Sequence, residues 1–574
     1  MTVRIDLESC NGCGKRTEGF CEEICPGDLF YRTSGKACLR EPAECWDCFA
    51  CVKACPKEAL SIELPFQISE AHHRLSARIR PDHIVWKMHD SQGRLINQCS
   101  IPNRVMPGGM NAPEQALTAP NEDTSAHPEP AFPCAAAYAD TRLLRLSGVY
   151  AQRRKGLWMQ RIKIQGGALD ARGWQTLAGL ARAHTRGTPL LLTTRQCIEF
   201  HNITSERLPE LQRDLAASGF TGLGACGDTL RNITLCPGNG LCPESVDFSA
   251  AADAVRQTLE AFKGVYSLPR KFKISFSGCA RGCAQPYIND LGFVAQVRDA
   301  QVSVTLIGAG SLGARPETGI VLAVRVRPED IPALALAALR IFHTRGNRTN
   351  RHKARLRHVR QELGDEAFLA LFRKEYDSCA AQLPPGPPLA LSASGMQRAC
   401  ELNVPCGLLD PDQADALAET LTQSQACARI QNHHRISIFA ADTVAVLAAV
   451  RTNPALKPLL EGVDIVSCPG TAFCAHAIVD THAAEHLLRA HLPANFAAPI
   501  RISGCPNGCS HATIAPIGLS GRLKRGPDGK IREGFQILTG GRMGIEPGCG
   551  KTASAFVPTE DIAAFIRTMP ARTP

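Results

Sequence analysis

The sequence predicts an α/β (α+β) protein in which a small cysteine-rich unit with a β-rich tail precedes a pseudo-twofold pair of related halves. Three observations carry this. The chain has 574 residues, beyond the ~250–300 at which single hydrophobic cores stop growing, so three or more compact units are expected. Distinctive motifs occur twice in the same order, LCPGNGLC then FSGCARGC, and later SCPGTAFC then ISGCPNGC, as in an internal repeat. The 26 cysteines bunch at short spacings, with no secretory n- and h-regions and no run of ~18 apolar residues. That pattern points to a cytoplasmic protein, away from membranes, whose cysteines are metal or cluster ligands rather than disulfides. Net charge is +10, with ten Lys/Arg against three Asp/Glu between Arg340 and Lys374. This block lacks interleaved aromatics and a recognisable binding module, which argues against a nucleic-acid partner.

The first element, residues 1–105, contains Cys10-x2-Cys13-x7-Cys21-x3-Cys25-Pro26 and Cys45-x2-Cys48-x2-Cys51-x3-Cys55-Pro56. The second run has the bacterial two-cluster ferredoxin spacing, in which the fourth cysteine ligates the other cluster. Cys10, Cys13, Cys21 and Cys55 are therefore expected to hold one [4Fe–4S] cluster, and Cys45, Cys48, Cys51 and Cys25 a second. Zinc favours two separated cysteine pairs over a triplet with a remote fourth. Cys38 fits neither run and reads as structural. The stretch ECWDCFACVKACP, with Trp46 beside a ligand, and the tail HRLSARIRPDHIVWKMHDSQGRLI resemble the β subunit of adenylylsulfate reductase. That resemblance implies electron transfer through two clusters and a flavoprotein partner like that family's α subunit. Trp46 reads equally as ordinary core.

Residues 106–140, rich in Pro, Ala and small polar residues without apolar periodicity, read as a linker. The first half then spans 141–381, a shorter break QLPPGPPLALSASG spans 382–395, and the second half spans 396–574. WMQRIKIQGGALD corresponds in outline to GMQRACELNVPCGLLD, and each precedes an Asp-initiated amphipathic stretch, DARGWQTLAGLARAHT and DPDQADALAETLTQS, that reads as a helix. PLLLTTRQCIEFHNI, KFKISFSG and RISIFAA read as strands.

Cys468-x5-Cys474 and Cys505-x3-Cys509 can close around a cubane from two loops, with Gly and Pro letting backbone approach closely. Over roughly 145–574 the sequence resembles the siroheme-dependent sulfite and nitrite reductases. The resemblance rests on SCPGTAFC, SGCPNGC, TTRQCIEFH (193–201), GDTLRNITLC (227–236), LPRKFKISFSG (268–278) and RGNRTNRHKARL (345–356) in family order. It implies a siroheme coupled through Cys509 to a [4Fe–4S] cluster held also by Cys468, Cys474 and Cys505. It implies six-electron reduction of a small oxyanion, with Arg231, Lys271 and Lys273 binding the anion and assisting protonation. A fourth cation falls at Lys163, with Arg161 as the alternative. Arg195, Arg345, Arg348, Arg351 and Arg355 are expected to face the siroheme carboxylates.

Cys236, Cys242, Cys279 and Cys283 repeat the quartet in the first half, unlike one-chain assimilatory relatives. Either a further cluster, with or without a second siroheme, sits there, or the quartet is a vestige; three or four [4Fe–4S] clusters are expected overall. Gly508 before Cys509 and the sulfur-metabolism flavour of the N-terminal resemblance select sulfite-to-sulfide reduction as the expectation. Nitrite reduction to ammonia is the alternative, and an electron-transfer scaffold without reductase activity a further one. A relative of precorrin-3B synthase is disfavoured by the fused unit and the intact siroheme pattern. The chain is also a candidate homo-oligomer.

Overall fold

The computed structural model describes residues 2–102 and 141–569, apart from 15, 17, 26–28, 41–44, 46–48, 64–72, 81–82, 244, 299–300, 393 and 527–529. Cys48, Trp46 and the 106–140 segment thus lie outside the described residues. Two compact units emerge, one of residues 1–124 with 523–532 and one of 125–522 with 533–574.

In the first unit, the strands Thr2–Ile5, Leu60–Glu63, Arg74–Ile79, His83–His89 and Leu95–Pro102 form one antiparallel sheet in that order. The last three are the β-rich tail that the sequence predicts. Leu60 and Ile62 point inward and Ser61 and Glu63 outward or to the margin, the two-residue alternation of a half-buried strand. Two five-residue helices, Phe20–Ile24 and Ala50–Ala54, each run into an extended cysteine, Cys25 and Cys55. They pack with Val3, Leu29, Phe30, Val52 and Ile62 into a core that also takes in the Cys10, Cys21 and Cys51 thiols.

Both sequence-defined halves, apart from residues 523–532, fall in the second unit. Each half begins with a small antiparallel sheet, and the two sheets exchange edge strands. Ala168–Leu169 of the first half pairs with Cys427–Ile430 of the second, while Leu408–Leu409 pairs with Leu190–Leu192. The helices Ala171–Thr185 and Pro411–Gln423 pack on each other, as their apolar stripes require. One core, from Trp174 and Leu192 to Leu417 and Ile438, therefore serves both halves. Asp170 caps its helix by accepting from Gly173 N at 2.7 Å, as its position predicts.

The sheet register refines the repeat. Lys163 pairs with Cys197 and Asn403 with Arg435, so Lys163 and Asn403 are counterparts. The two Met-Gln-Arg triplets, Met159–Arg161 and Met396–Arg398, are consequently offset by three positions and are not structural equivalents.

Each half continues into a five-stranded sheet. Thr234–Leu235, Ile274–Ser277 and Leu291–Arg298 are parallel, with Gln301–Gly308 and Ile320–Val326 added antiparallel. Ile465–Ser467, Ile500–Ser503 and Ile517–Arg525 repeat the parallel part, followed by Ile531–Thr539 and Lys551–Pro558. The cysteine loops leave the carboxyl ends of adjacent parallel strands, where open sheets place their ligands. Among the described residues no helix is long and apolar enough to cross a membrane.

The 382–395 break is a strap on the first half. Ala390–Leu391 pairs with Val246–Asp247, and the Ser392 hydroxyl donates to Gly240 O at 2.7 Å. Composition registers the prolines there but not the tertiary hydrogen bonds.

Candidate active site

Cys468 and Cys505 follow the neighbouring parallel strands Ile465–Ser467 and Ile500–Ser503. Gly504 N donates to Cys468 Sγ at 3.1 Å and His476 N to Cys474 Sγ at 3.4 Å, contacts suited to thiolate sulfurs. Burial pushes Cys468 up to about 12 and Cys505 to about 11, and the charge of Cys509 adds to both. Four sulfurs in such a setting are thiolates only if bound metal offsets their charge. A quartet of cysteines drawn from two loops suits a polynuclear cluster. Cys509 is exposed, and Gly508 before it takes φ +66°, which turns the backbone back after one residue.

The cationic wall beside Cys509 comes from the other half. Lys271 and Lys273 precede the strand Ile274–Ser277, and both feel the Cys509 charge. Burial, then the Arg231 guanidinium, pushes Lys271 down to about 7. Lys273 falls well below the usual lysine range through burial, Lys271, Arg195 and Arg355. Arg231 is fixed by Gly227 O at 2.8 Å and Ala225 O at 2.9 Å, while Arg231 N donates to Phe272 O at 2.9 Å. Alternation along the extended segment sends Lys271 and Lys273 to one side, with buried Phe272 in the core between them.

Arg355 bonds the fully buried Asp290 at 2.7 Å, and the same carboxylate oxygen accepts from Lys273 N at 2.8 Å. Arg351 pairs with Asp228 at 2.6 Å, a carboxylate also within 3.3 Å of Arg270. Thus Arg351 and Arg355 brace the wall. The Arg195 guanidinium donates to Asn289 Oδ1 at 2.7 Å, Asn232 O at 2.6 Å and Ile274 O at 3.0 Å, which fixes it beside the wall. Its neighbour Thr194 donates to Cys509 O at 3.0 Å, fixing the bridging loop. Arg348 donates to Ser267 O at 2.8 Å and His343 O at 3.1 Å, and Arg345 ends its helix in an exposed position. Both stand at or just beyond the carboxyl end of that helix, where cations are favoured.

Of the two candidates for the fourth cation, Arg161 pairs with buried Glu199 at 2.6 Å and donates to Ala225 O at 3.3 Å, the acceptor shared with Arg231. Lys163 faces Glu260 at 3.6 Å. Burial opposes ionisation of Glu199, but Arg161 and His201 outweigh it and hold the carboxyl down at about 2. His201 in turn stacks on Phe473 at 4.1 Å, beside Cys474. Sequence reasoning missed this Arg161–Glu199–His201 chain, although alternate charged residues in CIEFH signalled one polar face on a buried strand. His511 is buried beside Lys273 and Arg195, part of the pocket wall.

The first-half quartet repeats the arrangement: Gly278 N donates to Cys236 Sγ at 3.2 Å, and the charges of Cys283, Cys279 and Cys242 all bear on Cys236. In the first unit, Cys10, Cys13, Cys21 and Cys55 line one small cavity, the quartet that the crossed spacing expects to share a cluster. Ala37 N donates to Cys10 Sγ at 3.4 Å and Leu29 N to Cys25 Sγ at 3.5 Å. Cys25, Cys45 and Cys51 border the same core, while their expected fourth partner, Cys48, is outside the described residues.

Residues 226–379 and 463–570 match the family described as nitrite and sulphite reductase 4Fe-4S domain, and residues 150–218 the nitrite/sulfite reductase ferredoxin-like half domain. A ferredoxin–nitrite reductase of Leptolyngbya laminosa is 27% identical over 452 residues, covering 74% of this chain and 88% of the relative. An assimilatory ferredoxin-dependent nitrite reductase of Haloferax mediterranei is 28% identical over 475 residues, covering 74% and 80%. The solved structure of the Mycobacterium tuberculosis NirA protein shares the fold, with TM-score 0.64 and 23% identity over 74% of this chain and 85% of that one. The relatives' names favour nitrite over the sulfite expected from sequence. The domain matches begin at residue 150, so they leave the likeness of residues 1–105 to adenylylsulfate reductase without support.

Proposed function

Since the chain carries the half domains of the nitrite and sulphite reductases, an oxidoreductase family that binds siroheme and a [4Fe–4S] cluster, we propose that it reduces nitrite to ammonia. The site faces Cys509, with Cys468, Cys474 and Cys505 as the remaining cluster ligands. The carrying observation is that Lys271 and Lys273 of one half, with Arg231 beside Lys271, stand against Cys509 of the other. A bound siroheme and its cluster would hold the oxyanion and relay electrons from a donor; one nitrite, six electrons and eight protons give one ammonium and two waters.

The chain's own part is electrostatic and protic. Lys271, Lys273 and Arg231 attract the anion and are positioned before it arrives, so their orientation costs nothing during reaction. Lys271, held near neutrality by burial and Arg231, can release a proton at physiological pH and regain it from solvent. Arg161 or Lys163 completes the ring of cations, and Arg351 and Arg355 hold the wall through Asp228 and Asp290. Electrons enter from a ferredoxin-type donor or through the chain's own N-terminal cysteine-rich unit.

Sulfite-to-sulfide reduction is the second reading, favoured by charge. The guanidiniums of Arg195, Arg231 and Arg355 bear on Lys271 and Lys273 around this wall with Asp290 among them, and a dianion would draw both lysines toward their charged forms. Viologen-driven turnover of the anaerobic holoenzyme tests both. Nitrite consumption with six-electron stoichiometry and a higher kcat/KM than for sulfite is expected; the reverse order selects sulfite, and turnover of neither sinks the reductase assignment.

A further inference from the structure

The first-half quartet has everything the second has except the pocket. Cys236 follows one parallel strand and Cys279 its neighbour, as Cys468 and Cys505 do. Gly278 N meets Cys236 Sγ at 3.2 Å where Gly504 N meets Cys468 Sγ at 3.1 Å. Gly282 and Gly508, each before the last cysteine, take φ +64° and +66°. A vestigial quartet is under no constraint to keep four sulfurs, two sulfur-directed amides and both left-handed glycines in one arrangement.

Sheet register shows what faces it. Thr234 pairs with Ser275 as Val466 pairs with Arg501, and Ile274 with Leu291 as Ile500 with Ile517. Extending those pairings sets Lys271, Lys273 and Arg231 against Ala497, Pro499 and Val463. The counterpart of Lys163 is Asn403, and that of Arg161 is Glu401. Arg501 is 1% exposed and spent on Asp464 at 2.8 Å. A polycarboxylate tetrapyrrole and an oxyanion would thus find Ala497, Pro499, Val463, Asn403 and Glu401 where the other site presents cations, and of the charges that bear on this quartet, Arg281 and Arg398, the first is already directed at Cys279.

One substitution distinguishes the cysteine loop itself. Asn507 hydrogen-bonds Cys505, whereas at the equivalent place the Arg281 guanidinium hydrogen-bonds Cys279. A cation on a cluster sulfur favours the reduced cluster, because net charge and sulfur hydrogen bonds set the potential.

We propose that Cys236, Cys242, Cys279 and Cys283 hold a [4Fe–4S] cluster that carries no tetrapyrrole, with Arg281 raising its potential. The test uses full-length holoenzyme made anaerobically with a siroheme supply. Cys279→Ser/Cys283→Ser is expected to lose about four irons per chain while the Soret band and siroheme content stay unchanged. This difference does not depend on how many clusters the N-terminal unit holds. Unchanged iron, loss of zinc instead of iron, or a halved siroheme content would each overturn the proposal. Because the double variant can misfold, Arg281→Gln, which keeps every thiol, is followed by redox titration monitored by EPR. One cubane signal is expected to move to lower potential at constant iron; a titration with every signal unmoved overturns the assignment of Arg281. Neither readout requires knowing whether the enzyme takes nitrite or sulfite.

Discussion

Lys271 is the residue whose environment most changes its chemistry. Burial and Arg231 place its folded value at about 7, below the usual lysine range, so it is protonated below that pH and neutral above. If its proton serves the reaction, kcat/KM should fall about tenfold per pH unit on the alkaline side of neutrality. Steady-state profiles with nitrite check this, and Lys271→Arg should push the alkaline limb upward. Lys271→Ala should lower kcat by about 10²–10³, the usual cost of one preorganised charge donor. Arg161 makes a different case, since its partner Glu199 is buried at 2.6 Å. Arg161→Ala leaves that carboxylate with His201 at 3.0 Å as its remaining partner and should destabilise the protein by about 3 kcal/mol. Denaturant unfolding should show that loss, and Arg161→Ala/Glu199→Gln should recover part of it.

At the scale of elements, the cysteine loops work because short strands deliver them and tight turns fold them back. Gly470 sits at φ +53° directly after Cys468-Pro469, and a Cβ there would meet Thr481 Oγ1 at 2.2 Å. That hydroxyl donates to Cys468 O at 2.5 Å, so Gly470→Ala displaces the contact that fixes the first ligand. A cost of about 1–3 kcal/mol is expected from overpacking alone, accompanied by altered EPR of the siroheme-coupled cluster. The same change at Gly179, which has open space around it in the middle of the helix Ala171–Thr185, should stabilise slightly. Thermal unfolding of the two variants side by side separates local strain from helix propensity.

For the whole molecule, edge-strand exchange makes the halves interdependent. The sheet of the first half takes Leu408–Leu409 from the second, and one apolar core runs through both. Residues 141–381 expressed alone should therefore expose Leu190–Leu192 as an unpaired edge and aggregate. Adding a separately made 382–574 should restore solubility if exchange drives assembly, as size-exclusion chromatography would report. Reciprocity extends to the site, where cations of one half serve cysteines of the other, so neither half alone should reduce nitrite or sulfite.

Local chemistry was legible in the sequence because its signals are local. Cysteine spacing predicted the crossed quartet around Cys10 and Cys55 and the twin loops at Cys279 and Cys505, an Asp opening an amphipathic stretch marked the Asp170 cap, and family resemblance picked out Lys271 and Lys273. The tail strands from Arg74 to Pro102 and the pairing of two similar halves were equally readable. What charge does after folding was not. Arg195, Arg348 and Arg351 look alike in sequence, yet one is absorbed by backbone carbonyls and Asn289, one by a helix end and one by Asp228. Exchange of the Ala168–Leu169 and Leu408–Leu409 strands, the Arg161–Glu199–His201 chain and the strap at Ala390–Leu391 likewise join residues far apart in sequence. Sequence by itself determined which groups can bind metal and which segments form strands, because spacing and periodicity act over a few residues. Tertiary structure alone decided which cations remain directed at Cys509, because that depends on which buried acceptors arrive from elsewhere in the chain.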